Sequence, residues 1–151
     1  GAYETLTYAP PPGAPDAAQG VLGYLNEGVG MVTYFGHGSL TQWGKDRIFT
    51  TEDMPTLENA DRLTVVVNMT CLTGLFTHPR VDSLAERLLL APKSGAAAVL
   101  APTSLTLAID QSFLSSPFAQ AFVADASRPL GDIFLEAQRQ VPTASAGSLD
   151  V

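Results

Sequence analysis

Two residues that could do nucleophilic and acid–base chemistry each stand at the end of a predicted strand. His37 lies in YFGHGS (34–39), directly after the apolar run 29–35, and Cys71 closes RLTVVVNMTC (62–71). A thiol becomes an effective nucleophile when a neighbouring base accepts its proton, and imidazole is a common base for this purpose. If the two strands are neighbours, a strand spacing of about 4.8 Å brings both side chains to one rim of a sheet. His37 and Cys71 are therefore a candidate catalytic dyad.

The glycines beside His37 extend this hypothesis. Glycine has no Cβ, so its backbone can approach a substrate closely. The amides of Gly38 and Cys71 are candidate donors to an oxyanion, the negatively charged oxygen that forms when a carbonyl is attacked. Each feature also has a plainer interpretation: a loop histidine, a core thiol and turn glycines. The residue pattern by itself leaves both interpretations open.

The sequence lacks the motifs of several other functional classes. GHGSL (36–40) does not match the G-x-S-x-G of serine hydrolases, and there is no dinucleotide-binding glycine motif or phosphate loop with lysine. His37, His78 and the single cysteine do not have the spacing of zinc ligands. We therefore predict no bound cofactor and no metal at the site.

Alternating strands and helices must position the candidate dyad. Ser83 and Glu86 have the spacing of a capping box, so Glu86 is predicted to be structural. The alternation predicts an α/β fold with a mostly parallel sheet, right-handed crossovers and helices on both faces. Ligands of such sheets bind beyond the carboxyl ends of the strands. The patterns place strands at 3–8, 29–35, 62–71 and 95–102, a short helix at 50–59, and longer helices from Asp16 to Gly28 and at 82–91, 112–125 and 129–141.

Composition narrows the class of protein. The 151 residues suffice for one domain, and with 46% hydrophobic and 15% charged residues disorder is not expected. A net charge of −7 and eight scattered basic residues argue against nucleic-acid binding. No apolar run reaches the roughly 18 to 20 residues of a membrane-spanning helix. The opening GAYETLTYAP has no secretory-signal pattern and reads like the interior of a longer protein.

Four segments of the chain resemble the gingipain-type cysteine peptidases, family C25 of clan CD. They are YFGHGSLTQWG (34–44), VVVNMTCLTGLF (65–76), DSLAERLLLAPKSGAAAVLAPTS (82–104) and PLGDIFLEAQ (129–138). The resemblance implies one catalytic domain over residues 1–151 with the caspase-like fold, a three-layer α/β/α sandwich. It implies that this is the C-terminal part of that domain, because the family's acidic residue that orients the histidine lies upstream. Such a part would be inactive alone.

The resemblance implies a role for each member of the candidate dyad. His37 matches the family's catalytic histidine, and Cys71 matches its nucleophile. Gly38 matches the residue whose amide shares the oxyanion hole with the amide of the cysteine. The implied activity is endopeptidase hydrolysis through an acyl-enzyme on the cysteine. In this fold the two side chains need not form a tight ion pair before the substrate binds.

Candidate substrate-binding residues follow from the same resemblance. In caspase-like folds, the loop after the next strand helps to bind the substrate side chain that precedes the cut. Thr103, Ser104 and Asp110 lie in that loop. Asp110 would favour Lys or Arg, with a solvated carboxylate or a helix N-cap as the alternative. Trp43 is a candidate for lining the cleft, with packing over the strand end as the alternative.

The resemblance further implies a protein or peptide substrate and a secreted or cell-surface location, and it leaves the oligomeric state open. The family commonly has an acidic residue where this chain has Thr77-His78, so a structural calcium ion also stays open. Two alternative functions remain at this point. One is a sortase-like transpeptidase of a surface secretion system, in which an amine replaces water at the acyl-enzyme. The other is a non-catalytic relative used in adhesion or assembly, against which the presence of both His37 and Cys71 argues.

Overall fold

A computed structural model of the chain describes residues 17–141. The predicted strand 3–8 and Asp16, where the first helix was predicted to start, lie outside these residues. Each strand and helix predicted within the range is present, the one at 50–59 as a 3₁₀ helix. In chain order the elements are α1 (Ala17–Glu27), β1 (Met31–Phe35), β2 (Gly38–Ser39), β3 (Gln42–Trp43), β4 (Phe49–Thr50), the 3₁₀ helix (Thr51–Thr56), β5 (Thr64–Met69), α2 (Leu84–Leu89), β6 (Ala96–Leu100), α3 (Ala108–Ala124) and α4 (Leu130–Gln140).

The strands form two sheets. The larger has the order β1-β5-β6, and both of its strand pairs are parallel. The smaller joins β2, β3 and β4 in antiparallel pairs directly after the end of β1. Its strands have two residues each, too few to show an alternating pattern, so the sequence did not predict them. The smaller sheet therefore extends the carboxyl end of β1 into a structured loop.

Local sequence explains where the key elements start and stop. β5 has the sequence TVVVNM, whose β-branched residues suit a buried strand. The predicted capping box is confirmed, with the Ser83 amide donating to the Glu86 carboxylate at 2.8 Å and the Glu86 amide donating to the Ser83 hydroxyl at 3.3 Å. α1 ends at Glu27, directly before Gly28, whose φ of +73° is in the left-handed region that favours glycine after a helix end.

The larger sheet is covered on both faces. One face packs against α1, the 3₁₀ helix and α2, and the buried residues there are Leu25, Trp43, Phe49, Met54, Leu57, Val66, Leu84, Leu88 and Ala96. The other face packs against α3 and α4, and the buried residues there are Val67, Met69, Phe118, Ala121, Ile133 and Ala137. Each large apolar side chain buried in this way stabilises the fold by about 1.5–3 kcal/mol. The predicted three-layer α/β/α sandwich is confirmed.

Candidate active site

The pairing of β1 with β5 brings His37 and Cys71 to the same rim of the sheet. Phe35 and Met69 are partners at the last paired position, and the Gly36 amide donates to the Met69 carbonyl at 3.1 Å. His37 and Cys71 each follow two residues beyond that position. The two strands are thus parallel neighbours, as the candidate dyad requires.

His37 belongs to a hairpin, residues 36–44, which we name the His37 loop. The carbonyl of His37 accepts hydrogen bonds from the Gly44 amide at 2.7 Å and from the Tyr34 hydroxyl at 2.9 Å. Burial raises the pKa of that Tyr34 hydroxyl. The imidazole of His37 is exposed. The backbone of His37 is therefore fixed, while its side chain is accessible to a ligand.

Trp43 lies beneath the His37 loop. Its indole is 1% exposed and stacks on Tyr34, with ring centres 4.7 Å apart and ring planes 8° apart. The indole nitrogen donates to the side-chain oxygen of Asn68 in β5 at 2.9 Å. An indole enclosed in this way has no surface left for a substrate. The candidate role of Trp43 in lining the cleft is therefore corrected to the packing alternative.

Gly38 fits closely against the residues that carry the thiol. A Cβ placed on Gly38 would overlap the Thr70 hydroxyl and would lie 3.2 Å from the Cys71 carbonyl oxygen. Glycine is therefore needed here because two loops approach each other closely. The His37 loop and the residues around Cys71 are in direct contact at this point.

The amide of Gly38 points away from its hairpin partner. Gly38 faces Trp43 across the β2–β3 ladder, and the neighbouring bond from Gly44 to His37 identifies 38–43 as a non-hydrogen-bonded pair. In such a pair the amides point outward from the ladder. The Gly38 amide is thus not used by β3 and faces the open side of the hairpin.

Cys71 is half-buried in a segment, residues 70–75, that we name the Cys71 loop. The Thr106 amide donates to its sulfur at 3.4 Å, and the Thr106 hydroxyl lies 3.6 Å from the sulfur. The next residue, Leu72, has a φ of +61°, which a residue with a side chain rarely adopts. Its amide donates to the Ser104 carbonyl at 3.0 Å. Unusual backbone conformations of this kind are frequent in functional loops.

Thr106 and Gln111 were not among the residues singled out from the sequence. Gln111 is 6% exposed, and its side-chain amide donates to the Thr70 carbonyl and to the Thr106 hydroxyl. The sequence placed the start of the helix at 112, whereas α3 starts at Ala108 and so includes Gln111. No motif marks a glutamine in the first turn of a helix as a partner of a distant cysteine loop.

A cavity of about 200 Å³ opens beside these residues. Thr103 and Ser104, two of the candidate substrate-binding residues, line it. The third, Asp110, is not part of this lining; it is 6% exposed in the first turn of α3, whose N-cap is Leu107. Both alternatives for Asp110, a solvated carboxylate and an N-cap, are therefore wrong. The other lining residues are Asn68, Met69, Leu100, Ala101, Pro102, Thr106, Gln111, Leu114, Phe134 and Gln138, none of which is charged.

The first turn of α2 joins the two loops. The Leu84 amide donates to the Leu40 carbonyl of the His37 loop at 2.8 Å, and the Ala85 amide donates to the Thr73 carbonyl of the Cys71 loop at 2.9 Å. Hydrogen bonds from Ser83 hold the pKa of Glu86 below its usual value. The capping box thus supports the helix end that connects both loops.

The second histidine has a local structural role. The Nδ1 atom of His78 accepts hydrogen bonds from the Val81 amide at 3.2 Å and from the Arg80 amide at 3.5 Å. Among residues 17–141, no group of three or more His, Cys, Asp or Glu side chains is placed to hold a metal ion. No helix in the same range is long and apolar enough to cross a membrane.

Comparisons with known proteins agree with this architecture. The sequence model of peptidase family C25 matches residues 2–149 of the chain. Gingipain R2 of Porphyromonas gingivalis is 33% identical over 75 residues, covering 50% of this chain and 10% of that protein. Gingipain R1 of the same organism is 35% identical over 77 residues, covering 50% of this chain and 7% of that protein. The chain thus matches a tenth or less of the length of these relatives.

Solved structures show the same fold. The complex of the RgpB pro- and mature domains of Porphyromonas gingivalis matches with a TM-score of 0.77 at 22% identity, covering 89% of this chain and 34% of that chain. The crystal structure of the Arg-specific cysteine proteinase gingipain R (RgpB) matches with a TM-score of 0.72 at 23% identity, covering 89% and 33%. The predicted caspase-like architecture is thereby confirmed, over about a third of each solved chain.

Proposed function

The chain belongs to peptidase family C25, and from this premise we propose that it carries the nucleophile and the proton-transferring histidine of a cysteine peptidase. The observation that carries the proposal is the β1–β5 register, which places His37 and Cys71 two residues beyond one paired position. The close packing of Gly38 on Thr70 and Cys71 supports it, because the two loops then act as one unit.

In the proposed reaction, the Cys71 thiolate attacks the carbonyl carbon of the scissile peptide bond. A sulfur–carbon bond forms, and the carbonyl π electrons move to oxygen. When the intermediate collapses, the carbon–nitrogen bond breaks, and the leaving amine takes a proton from the His37 imidazolium. Water then attacks the acyl-enzyme and gives a proton to His37, and the sulfur–carbon bond breaks to release the acid.

The amides of Gly38 and Cys71 are the proposed donors to the oxyanion. The outward direction of the Gly38 amide favours this role, because β3 does not use that donor. The neighbouring position of Cys71 favours it as well, because Gly38 packs against its carbonyl. Two amides fixed in this way would stabilise negative charge that exists only during the reaction.

The cavity beside Thr106 is the proposed binding site for a substrate side chain, with Thr103 and Ser104 in its wall. Its described lining supplies no counter-ion for a basic side chain, since none of those residues is charged. We propose a protein or peptide as the substrate and a secreted or cell-surface location for the enzyme. We also propose that the chain acts as one part of a longer catalytic domain, since it matches about a third of each solved relative.

The test is peptide cleavage by the full-length protein that contains this chain, with Cys71→Ala as the variant. We expect the turnover number to fall by about 10⁴- to 10⁶-fold, as when the nucleophile of a protease is removed. Thr77→Ala, an exposed position that follows the Cys71 loop, is the matched control and should cleave at the wild-type rate.

Cleavage by the Cys71→Ala protein at the wild-type rate would refute the proposed nucleophile. Mass analysis of the products, with and without an added amine, separates hydrolysis from transfer. A carboxylic acid product in both conditions is the result expected for a hydrolase.

A further inference from the structure

Within residues 17–141, the hydrogen-bonding contacts of the Cys71 sulfur are all made with one residue, Thr106. The Thr106 amide donates to the sulfur at 3.4 Å, its hydroxyl lies 3.6 Å away, and its carbonyl lies 3.5 Å from the thiol. Cys71 lies beyond the end of β5, so the strand ladder does not hold the thiol. The loop that follows β6 does so instead.

A second set of bonds fixes the peptide unit that precedes the thiol. The Thr70 carbonyl accepts a hydrogen bond from the Thr106 hydroxyl at 2.7 Å and another from the Gln111 side-chain amide. The Gln111 amide also donates to the Thr106 hydroxyl. Thr70 is 0% exposed and Gln111 is 6% exposed, so water does not replace these bonds readily. We name these three residues the Gln111 cluster.

The planarity of the peptide bond connects this cluster to the reaction. The Thr70 carbonyl and the Cys71 amide belong to one planar trans unit, so they point in opposite directions. Fixing the carbonyl toward Gln111 and Thr106 therefore fixes the direction of the Cys71 amide, one of the two proposed oxyanion donors. The Cα atom of Cys71 lies in the same planar unit, so the bonds to the Thr70 carbonyl also fix the position from which the Cys71 side chain starts.

From these contacts we infer that Gln111 and Thr106 are positioning residues, which orient the Cys71 amide and thiol without touching the scissile bond. The inference rests on the proposed function, because it assigns Cys71 as the nucleophile. Gln111 lies in the first turn of the 17-residue helix α3, which packs on the sheet through Phe118 and Ala121. The cluster thus couples the Cys71 loop to the rigid core.

The test compares variants of the full-length protein. Gln111→Leu removes both donors at similar size, and we expect kcat to fall about 10- to 100-fold with KM changed less than about twofold, because an oxyanion donor acts only in the transition state. Gln120→Leu is the matched control, since Gln120 is an exposed glutamine of the same helix, and its side-chain amide donates to the Ser116 hydroxyl of that helix. It should match the wild type.

A second pair of variants covers the case in which Gln111→Leu does not fold. Thr106→Val removes the hydroxyl but keeps the amide and the branched shape, whereas Thr106→Ser keeps the hydroxyl. We expect kcat for Thr106→Val to be about 10-fold below that for Thr106→Ser, with similar melting temperatures. Equal kcat values for the two variants would overturn the inference, as would a wild-type kcat for folded Gln111→Leu.

A readout that does not depend on cleavage separates this inference from the proposed function. Alkylation of Cys71 by iodoacetamide, located by peptide mapping, reports the placement of the thiol even when no peptide is cleaved. We expect the alkylation rate to change about threefold or more in Thr106→Val and to stay at the wild-type value in Gln120→Leu. Unchanged alkylation in Thr106→Val would contradict the inference, whereas loss of cleavage by every variant and by the wild type would contradict the proposed function.

Discussion

The two loops at the rim of the sheet are held in different ways. The backbone at His37 itself is supported by near neighbours in sequence: the Tyr34 hydroxyl and the Gly44 amide donate to the His37 carbonyl, and Trp43 stacks on Tyr34 below the loop. The Cys71 loop is supported by residues far along the chain, Ser104, Thr106 and Gln111. The aromatic support fixes a backbone and leaves an exposed imidazole, whereas the polar support holds the thiol itself. In the proposed mechanism, the His37 imidazole can be exposed because it must reach the substrate, whereas the Cys71 thiol must be held in a fixed direction.

Among changes to the supports of the two loops, the largest effect should come from a change at the contact between them. Gly38→Ala places a Cβ against Thr70 and the Cys71 carbonyl, so the Thr70 side chain and the loop that carries it must shift. We expect kcat/KM to fall by about 10²-fold, because a displacement near 1 Å has that effect on catalysis. Overpacking should also lower the free energy of unfolding by about 1–3 kcal/mol.

Gly30→Ala is the control for this contact. Gly30 lies just before β1, where an added Cβ would meet no atom of residues 17–141 within 4 Å. The activity of Gly30→Ala should be that of the wild type. If Gly38→Ala cleaves as fast as Gly30→Ala, the loops do not act as one unit, and the difference in their supports has no bearing on catalysis.

A smaller effect is expected from the support of the His37 loop. Tyr34→Phe removes one of the two donors to the His37 carbonyl and leaves the Gly44 amide in place. We expect a loss of about 1 kcal/mol of unfolding free energy and a fall of less than about fivefold in kcat, measured by denaturant titration and peptide cleavage. A fall in kcat as large as that of Gly38→Ala would show that Tyr34 also orients the His37 imidazole.

The effect of Tyr34→Phe on the unfolding free energy should also depend on pH in the alkaline range. Burial raises the pKa of Tyr34 in the folded protein above the value of about 10 in the unfolded chain. The folded state thus favours the neutral phenol, and this contribution to stability is full below pH 10 or so and lost as the pH rises through the folded pKa. The difference in unfolding free energy between wild type and Tyr34→Phe should therefore shrink above that pH. If the unfolding free energies of wild type and Tyr34→Phe change with pH in parallel, the raised pKa of Tyr34 is contradicted.

The contrast between local and distant support also explains what the sequence could predict. The strands that carry His37 and Cys71 have strong apolar patterns, and the capping box of α2 is a local motif, so both were predicted correctly. Glu86 was rightly assigned to structure, because its partner Ser83 is three residues away. In this chain, the features that depend on short-range interactions could be predicted from the sequence.

Features set by long-range contacts were missed or misplaced. Thr106 and Gln111 reach the Cys71 loop across 35 and 41 residues, a separation that no spacing rule covers. Asp110 was placed in a loop because the predicted helix began at 112, whereas the helix begins at Ala108 and buries it. Trp43 could line a cleft or pack below a loop, and its burial against partners that include Asn68, 25 residues further along the chain, decides between the two.

The central claim is that His37 and Cys71 act together at one site, and covalent labelling tests it most directly. The full-length protein is treated with a peptidyl chloromethyl ketone, the adduct is located by peptide mapping, and its rate of formation is measured for the wild type, His37→Ala and His78→Gln. We expect the label on Cys71 and a rate lower by about 10²-fold or more in His37→Ala, because the β1–β5 register brings His37 to the rim with Cys71. We expect the wild-type rate in His78→Gln, because the Nδ1 atom of His78 binds backbone amides of its own loop. Labelling of Cys71 at the same rate in wild type and His37→Ala would contradict the claim.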